Sequence, residues 1–181
     1  MKNIVIVNPL LVSICIFLAG FSTGCAGDSC SYKTIQPLKK DVVLKNYTNL
    51  ELVAESNNVK TMPPNVVKRI TGLVINEVKK QQPARFQQIN PETPAPATIR
   101  YRLIFTKYDP GNAFARSMLA GLGQIHIDAD IVVEDPATGE VLAKYQTAKT
   151  FSWGGIYGGS VTIETVEPGF AKGIAEIILK P

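Results

Sequence analysis

Apolar and polar residues alternate along two stretches in the second half of the chain. Residues 98–106 show the alternation first, and residues 123–134 repeat it with a different set of side chains. Because successive side chains of a β-strand point to opposite faces of a sheet, both stretches are predicted to be strands with one buried face. The buried positions are then Ile99, Tyr101, Leu103, Phe105, Ile125, Ile127, Ala129, Ile131 and Val133.

A tight turn follows the second stretch. Residues 135–139 read Asp-Pro-Ala-Thr-Gly, which places Pro and Gly where turn geometry favours them. Residues 141–147 then continue the alternation, so the segments on either side of the turn are predicted to form a β-hairpin. A hairpin with one polar face is typical of an antiparallel sheet that is covered on one side.

Two segments have the spacing of amphipathic helices. Apolar residues recur at helical spacing over 66–78, bounded by a proline pair at 63–64 and by Pro83, which prevents continuation. A weaker apolar stripe lies within residues 170–178. The economical architecture is an α+β domain over residues 41–181, a small antiparallel β-sheet with two helices packed on one face.

Three weaker patterns complete the domain. Residues 41–53 are rich in β-forming side chains and predict a strand, or a pair of short strands around Asn46. Residues 85–89 predict a short edge strand. The proline-rich run at 91–96 predicts a loop that is too short to separate two domains.

The first part of the chain has the composition of a signal peptide. Its uninterrupted apolar run, 10–21, is about the length of a signal h-region and short for a membrane-spanning helix. The next residues, Ser-Thr-Gly-Cys, resemble a bacterial lipobox, in which small residues precede a cysteine that is acylated. The resemblance implies that residues 1–24 are removed, that Cys25 carries palmitate-type chains, and that residues 25–40 form a tether.

Two alternatives for this region stay open. Ser22 and Gly24 also satisfy the small-x-small rule for ordinary secretory cleavage, after which Cys25 and Cys30 would be able to form a local disulfide. Ser22 also stands where a lipobox usually has leucine. The other alternative keeps residues 4–23 as an uncleaved anchor.

The lipobox also bears on location. Each buried methylene contributes about 0.8 kcal/mol, so several long acyl chains on Cys25 would make membrane attachment practically permanent. Ala26 follows the cysteine, whereas in similar lipoproteins an aspartate there commonly marks inner-membrane retention. The resemblance therefore implies an outer-membrane lipoprotein that faces the periplasm.

Composition and charge argue against several functional classes. The 19 basic residues exceed the 15 acidic ones only slightly, and they are scattered, so we expect no nucleic-acid partner. All three cysteines precede residue 31, which leaves no disulfide framework through the domain.

Residue types that carry chemistry are sparse. His126 is the single histidine, so neither a histidine-based metal site nor a Ser-His-Asp arrangement is expected, and Asp128 and Asp130 beside it are explained by cross-strand pairs with Arg100 and Arg102. The glycine-rich runs lack the residues of a nucleotide site. We therefore expect no cofactor, no metal and no enzymatic activity.

Several motifs occur in a fixed order along the second half of the chain. They are Tyr108-Asp109-Pro110-Gly111-Asn112, Arg116, Gly121-Leu122-Gly123, the turn at 135–139 and Val141-Leu142-Ala143. In this order and spacing they resemble the bacterial lipoproteins grouped as domain of unknown function 4410, over roughly residues 40–180. The resemblance implies an envelope lipoprotein with a compact α+β domain and no established activity.

The connection between the first two predicted strands is the best candidate for a functional surface. It is longer than a hairpin needs, and Arg116 lies in it with Asp109 and Asn112. A planar guanidinium suits a carboxylate or a phosphate, although Arg116 could instead pair internally, for instance with Asp109. Trp153 and Tyr157, in a second glycine-rich loop, are candidates for a contact surface or for packing back on the sheet.

These observations favour a lipid-anchored, non-enzymatic domain that works by contact, as an accessory or assembly component with an envelope protein partner. The rival hypothesis is a periplasmic small-ligand binding module that uses the polar loop around Arg116, and a hydrolase is a distant third. The sequence leaves the partner and the oligomeric state open.

Overall fold

The structure of the chain, a computed structural model, describes residues 30–56, 62–93, 95–119 and 122–180. The predicted signal peptide, the proposed lipid site at Cys25 and the first part of the tether lie outside the described residues.

Among the described residues, six strands form one sheet. They are β1 (Ser31–Gln36), β2 (Asn49–Ser56), β3 (Gln88–Ile89), β4 (Thr98–Asp109), β5 (Ile125–Asp135) and β6 (Glu140–Phe151). Their order across the sheet is β1-β6-β5-β4-β2-β3, and neighbouring strands from β1 to β4 are antiparallel. The predicted alternation is confirmed, since all nine of the apolar positions assigned to β4 and β5 are buried.

Four helices accompany the sheet: α1 (Pro64–Gln81), α2 (Ala113–Met118), α3 (Gly155–Ser160) and α4 (Ile163–Leu179). The two long helices pack against each other, α1 on β2 and α4 on β5 and β6, and their buried side chains join the strands in one core. The α+β class and the two predicted helices are therefore confirmed. The short helices α2 and α3 occupy segments that the sequence predicted as loops.

The strand arrangement differs from the expectation in three respects, the first being that β1 pairs with β6 within residues 25–40, which the sequence analysis assigned to the tether. The sheet is mixed, because β2 and β3 run parallel to each other and β2 runs parallel to β4. Helix α1 follows β2 and crosses one face of the sheet, which returns the chain to the end where the parallel strands β3 and β4 begin. The expected strand at 41–53 is also shifted: Leu44–Asn46 form a 3₁₀ turn, and pairing begins at Asn49.

A buried carboxylate connects the helices to the sheet. Glu167 on α4 accepts two hydrogen bonds from Arg69 on α1, with N–O distances of 2.8 and 2.7 Å, and a third from the Tyr108 hydroxyl at 2.7 Å. Tyr108 faces the core because a bulge after Phe105 shifts the alternation of β4. Burial and the carboxylate raise the pKa of Tyr108, and the same carboxylate raises the pKa of Arg69. The charge of Glu167 is thus compensated inside the core.

The first described residue fixes where the chain enters the domain. Cys30 is a buried free thiol whose Sγ lies 3.6 Å from the Phe170 carbonyl oxygen on α4. A Cβ atom on Gly173 would lie 2.1 Å from that sulfur, so only glycine allows this approach. Burial raises the pKa of the Cys30 thiol to about 11. The chain therefore enters the domain beside α4 at Cys30, and the next residue, Ser31, begins β1 and pairs with Ala148 of β6.

Candidate functional site

Two connections meet at one end of the sheet. The β4–β5 connection contains α2 and the β6–α4 connection contains α3, and these two short helices pack against each other. Because β4 and β6 both end here, the chain has to turn back twice at this place. We call the described residues of the two connections, 110–119, 122–124 and 152–162, the α2–α3 end.

A buried arginine holds the α2–α3 end together. Arg116 is only 3% exposed, and it donates four hydrogen bonds to backbone carbonyl oxygens. The acceptors, at 2.6–3.0 Å, are Pro110 and Gly123 beside α2, and Gly158 and Val161 around α3. A guanidinium has its donors in a rigid planar fork, so one side chain can satisfy carbonyls from both connections.

The structure thus places Arg116 in the internal role that the sequence left open, with carbonyl oxygens as partners in place of Asp109. The Asp109 carboxylate accepts from the backbone N–H of Gly111 at 2.8 Å. The Asn112 side chain accepts from the N–H of Ala115 at 2.9 Å and caps the start of α2. All three of these residues shape the loop.

Glycines allow the two short helices to approach closely. A Cβ atom on Gly158 would lie 1.9 Å from the Trp153 carbonyl oxygen, and one on Gly159 would lie 2.9 Å from the Ser117 Cβ. Gly111, with φ of +64°, adopts the left-handed conformation that favours glycine. The glycine-rich composition of the second loop therefore serves packing of α3 against α2.

The outer surface of this end is apolar. Its exposed side chains include Ile156, which is 93% exposed, and six other large apolar residues: Phe114, Met118, Leu119, Leu122, Trp153 and Tyr157. The Trp153 and Tyr157 rings contact edge to face, with centroids 6.2 Å apart. Sequence reasoning selected both loops separately but did not indicate that they form one surface, because no local pattern reports the contact between α2 and α3.

This surface also contains little charge, and the carboxylates nearest to it along the chain, Asp109 and Glu164, lie at its borders. In the sequence of the α2–α3 end, Arg116 is the one ionisable residue apart from Tyr157, and its guanidinium is buried. The site therefore presents aromatic and aliphatic groups to the outside, with backbone and hydroxyl groups between them. Such a surface can bind an apolar partner without desolvating a charge.

The remaining residues that the sequence analysis considered for chemistry lie on the strands of the sheet. The His126 Nδ1 is 3.1 Å from the Thr150 hydroxyl. Arg100 pairs with Glu51 at 3.0 Å, and Arg102 pairs with Glu134 at 3.0 Å, so cross-strand charge pairs form, with glutamates as the acids. Within the described residues, no group of three or more His, Cys, Asp or Glu side chains could hold a metal ion.

A second concave region lies beside α1. A groove of about 600 Å³ is lined by the edge of β2 and by one side of the helix. Its apolar residues include Met62, Val67 and Ile75, and Glu55 and Lys68 are its charged residues. This volume suits a small apolar ligand.

Among the helices of the described part of the chain, none is both long enough and apolar enough to span a bilayer.

Comparison with known proteins gives a family and a fold. The family model described as domain of unknown function (DUF4410) matches residues 28–155. No curated protein matches the sequence. Two structures of the PelC dodecamer from Paraburkholderia phytofirmans are similar, with TM-scores of 0.53 and 0.52 at 10% and 9% identity; each covers 82% of this chain, and 96% and 97% of PelC are covered. A minor lipoprotein from Acinetobacter baumannii aligns at a TM-score of 0.37 and 16% identity, over 78% of this chain and 90% of that one. At these identities the likeness to PelC concerns the fold.

Proposed function

This chain belongs to the family described as domain of unknown function 4410, and from that premise we propose that it is a lipid-anchored, non-enzymatic domain of the bacterial envelope. In this proposal Cys25 carries the lipid, the domain faces the periplasm from the outer membrane, and it acts by contact as an accessory or assembly component.

The observation that carries the proposal is the apolar outer surface of the α2–α3 end. Seven large apolar side chains are exposed there, on two connections that Arg116 holds in a fixed geometry. Soluble monomers rarely expose a large contiguous apolar patch unless it is used for binding. A rigid, uncharged surface of this kind offers shape and apolar contact area, whereas acid–base catalysis requires positioned ionisable groups.

Two measurements on the protein isolated from envelopes test the proposal. Intact mass should show acyl chains on Cys25, and Cys25→Ser should release the domain or leave a precursor. A photoreactive side chain at Phe114 or Ile156 should give adducts in cells, with protein or lipid, whereas one at Val43 or Glu92, on loops at the opposite end of the sheet, should give few. An unmodified Cys25, or equal adducts at all four positions, would refute the proposal.

The groove beside α1 favours a second candidate function, a periplasmic small-ligand binding module. Its site would differ from the loop around Arg116, because the Arg116 donors already bond to carbonyl oxygens. Native mass spectrometry separates the two functions: a co-purified small molecule supports the module. A discrete oligomer, which the two PelC structures show for that protein, supports assembly.

A further inference from the structure

The chain enters the domain close to the α2–α3 end. Strand β1 runs antiparallel to β6, and Ser31 pairs with Ala148, three residues before β6 ends at Phe151. At about 3.3 Å per residue, this places Ser31 about 10 Å from the end of the strand that leads to α3. Going backward from Ser31, the direction of β1 points toward the same end.

The segment before the domain is short. Cys25 and Cys30 are five residues apart, and five extended residues span at most about 18 Å. Cys30 itself is held against Phe170 and Gly173 of α4, so it cannot lengthen the segment without leaving the core. A lipid on Cys25 would therefore keep the α2–α3 end within a short distance of the bilayer surface.

The chemistry of this end matches the interfacial region of a bilayer. Aromatic side chains with one polar atom, such as Trp153 and Tyr157, are enriched at the level of the headgroups, while aliphatic side chains enter the acyl boundary. Among the described residues of this end, the single charged side chain, Arg116, is buried, and the nearest carboxylates along the chain, Asp109 and Glu164, lie at its borders.

The opposite end of the sheet has the reverse composition. The connections between its strands carry six charged residues, Lys39, Lys40, Asp41, Lys45, Arg85 and Glu92, and the strand ends add Asp135 and Glu140, whereas Asp109 is the charged strand end at the α2–α3 end. These charged groups favour water. A lipid on Cys25 would place the α2–α3 end toward the membrane and this charged end toward the aqueous side, which agrees with the composition of each end.

We propose that the α2–α3 end inserts its apolar side chains into the interfacial region of the membrane that holds the lipid anchor, with Trp153 among the inserted residues. The proposal rests on the proposed lipid on Cys25. Membrane attachment then has two components. The acyl chains hold the protein at the membrane, and the apolar side chains fix the orientation of the domain. The polar end then points into the periplasm.

Trp153 is the single tryptophan of the chain, so its fluorescence reports directly on this surface. The full acylated protein is reconstituted into phosphatidylcholine vesicles whose acyl chains carry bromine atoms near the headgroup. Because an interfacial side chain lies about 5–10 Å deep, Trp153 emission should fall by about half or more relative to vesicles without bromine. Aqueous acrylamide should quench less in vesicles than in a detergent-free, deacylated control.

Paired variants make the test specific. Ile156→Asp places a charge on a fully exposed position of α3, and bromine quenching of Trp153 should drop by more than half. Val43→Asp is the matched control, since Val43 is 53% exposed at the opposite end of the sheet, and quenching should stay unchanged.

Three outcomes would overturn the inference. If Cys25 is acylated but Trp153 is not quenched by bromine, the anchor stands and the insertion is refuted. If Trp153 is protected from acrylamide, unquenched by bromine and accompanied by a multimer mass, a second copy covers the surface. If Cys25 carries no lipid, the proposed function fails, and the inference that rests on it fails too.

Discussion

Each end of the sheet is closed by an arginine that donates to backbone carbonyl oxygens, but the two ends finish differently. At the polar end, Arg85 donates to Leu44 and Tyr47 at 2.8 and 2.9 Å, and its guanidinium stacks on Phe86 at 4.3 Å. At the α2–α3 end, Arg116 donates to four carbonyls and is buried.

The difference lies in what surrounds each arginine. Side-chain pairs also join elements at the polar end: Tyr47, whose carbonyl accepts from Arg85, donates its hydroxyl to Asp135 at 3.1 Å, and Lys39 pairs with Glu140. The α2–α3 end has no such charged pairs among its described residues, so Arg116 supplies its internal polar contacts while apolar groups face outward. The α2–α3 end is therefore held together by internal hydrogen bonds from Arg116, and its apolar side chains face outward.

The largest expected effect comes from removing that internal support. Arg116→Ala would leave four carbonyl oxygens without their donor in a buried place, and we expect a loss of about 3 kcal/mol in the free energy of unfolding. Arg85→Ala, at a half-buried position where water can replace the donor, should cost about 1 kcal/mol. Urea unfolding of both variants measures the difference.

Equal losses in the free energy of unfolding for Arg116→Ala and Arg85→Ala would contradict this difference between the two ends. They would mean that the α2–α3 end depends on its buried arginine no more than the polar end depends on Arg85. Arg116→Lys adds a check. It retains the charge but not the planar fork, so it should recover only a minor part of the loss.

The next effect concerns where the chain enters the domain. Gly173→Ala would bring a Cβ to 2.1 Å from the Cys30 sulfur and 2.8 Å from its backbone nitrogen, so β1 or α4 must shift. We expect a loss of about 2 kcal/mol, measured by urea unfolding, and faster alkylation of Cys30. Gly72→Ala is the matched control, since nothing lies within 4 Å of the added atom in α1, and it should stabilise slightly. An unreactive Cys30 in the Gly173 variant would place the point of entry elsewhere.

The sequence predicts those parts of the fold and of the candidate site that depend on contacts between residues close together in the chain. Alternation and helical spacing are local patterns, and they identified β4, β5, α1 and α4. The parallel pairing of β2 depends on the crossover through α1, which no short pattern reports. The sequence also singled out the connection at 108–123, where it left the role of Arg116 open between binding and internal pairing, and the structure shows that guanidinium bonded to carbonyl oxygens.

The sequence could not decide between the two roles of Arg116 for a physical reason. An isolated arginine in a long loop has the same local sequence whether it faces solvent or four carbonyl oxygens. Two of the acceptors of Arg116, the carbonyl oxygens of Gly158 and Val161, lie 42 and 45 residues further along the chain. Only the meeting of the two connections decides between the roles.

A smaller effect is expected at alkaline pH. Burial raises the pKa of the Cys30 thiol from 9.0 to about 11, so the unfolded chain loses this proton at a lower pH than the folded one. Stability from this group is therefore complete well below pH 9.0 and is lost as the pH rises through about 11, with a loss of about 1 kcal/mol between pH 9 and pH 10. Comparing urea unfolding of the protein and of Cys30→Ala across this range isolates the effect, since buried tyrosines titrate in both.

If the stability difference between the protein and Cys30→Ala stays constant over that range, Cys30 does not change its ionisation on unfolding. The thiol would then be accessible in the folded state, and the short connection between the lipid and the α2–α3 end would be looser than its contacts with α4 indicate.

The smallest effect on stability should accompany a large effect on contact. Ile156 is 93% exposed, so Ile156→Ser removes almost no buried area and should change the free energy of unfolding by less than about 0.5 kcal/mol. At the polar end, Val43→Ser should change the free energy of unfolding equally little. The two substitutions are chemically alike and differ in the end that they modify, so any difference in membrane or partner adducts reports on the surface and not on folding. We expect fewer adducts from a photoreactive group at Phe114 in the Ile156 variant, and an unchanged yield in the Val43 variant. If both variants behave like the parent, the apolar side chains of the α2–α3 end contribute nothing to contact, and the contrast between the two ends is one of composition alone.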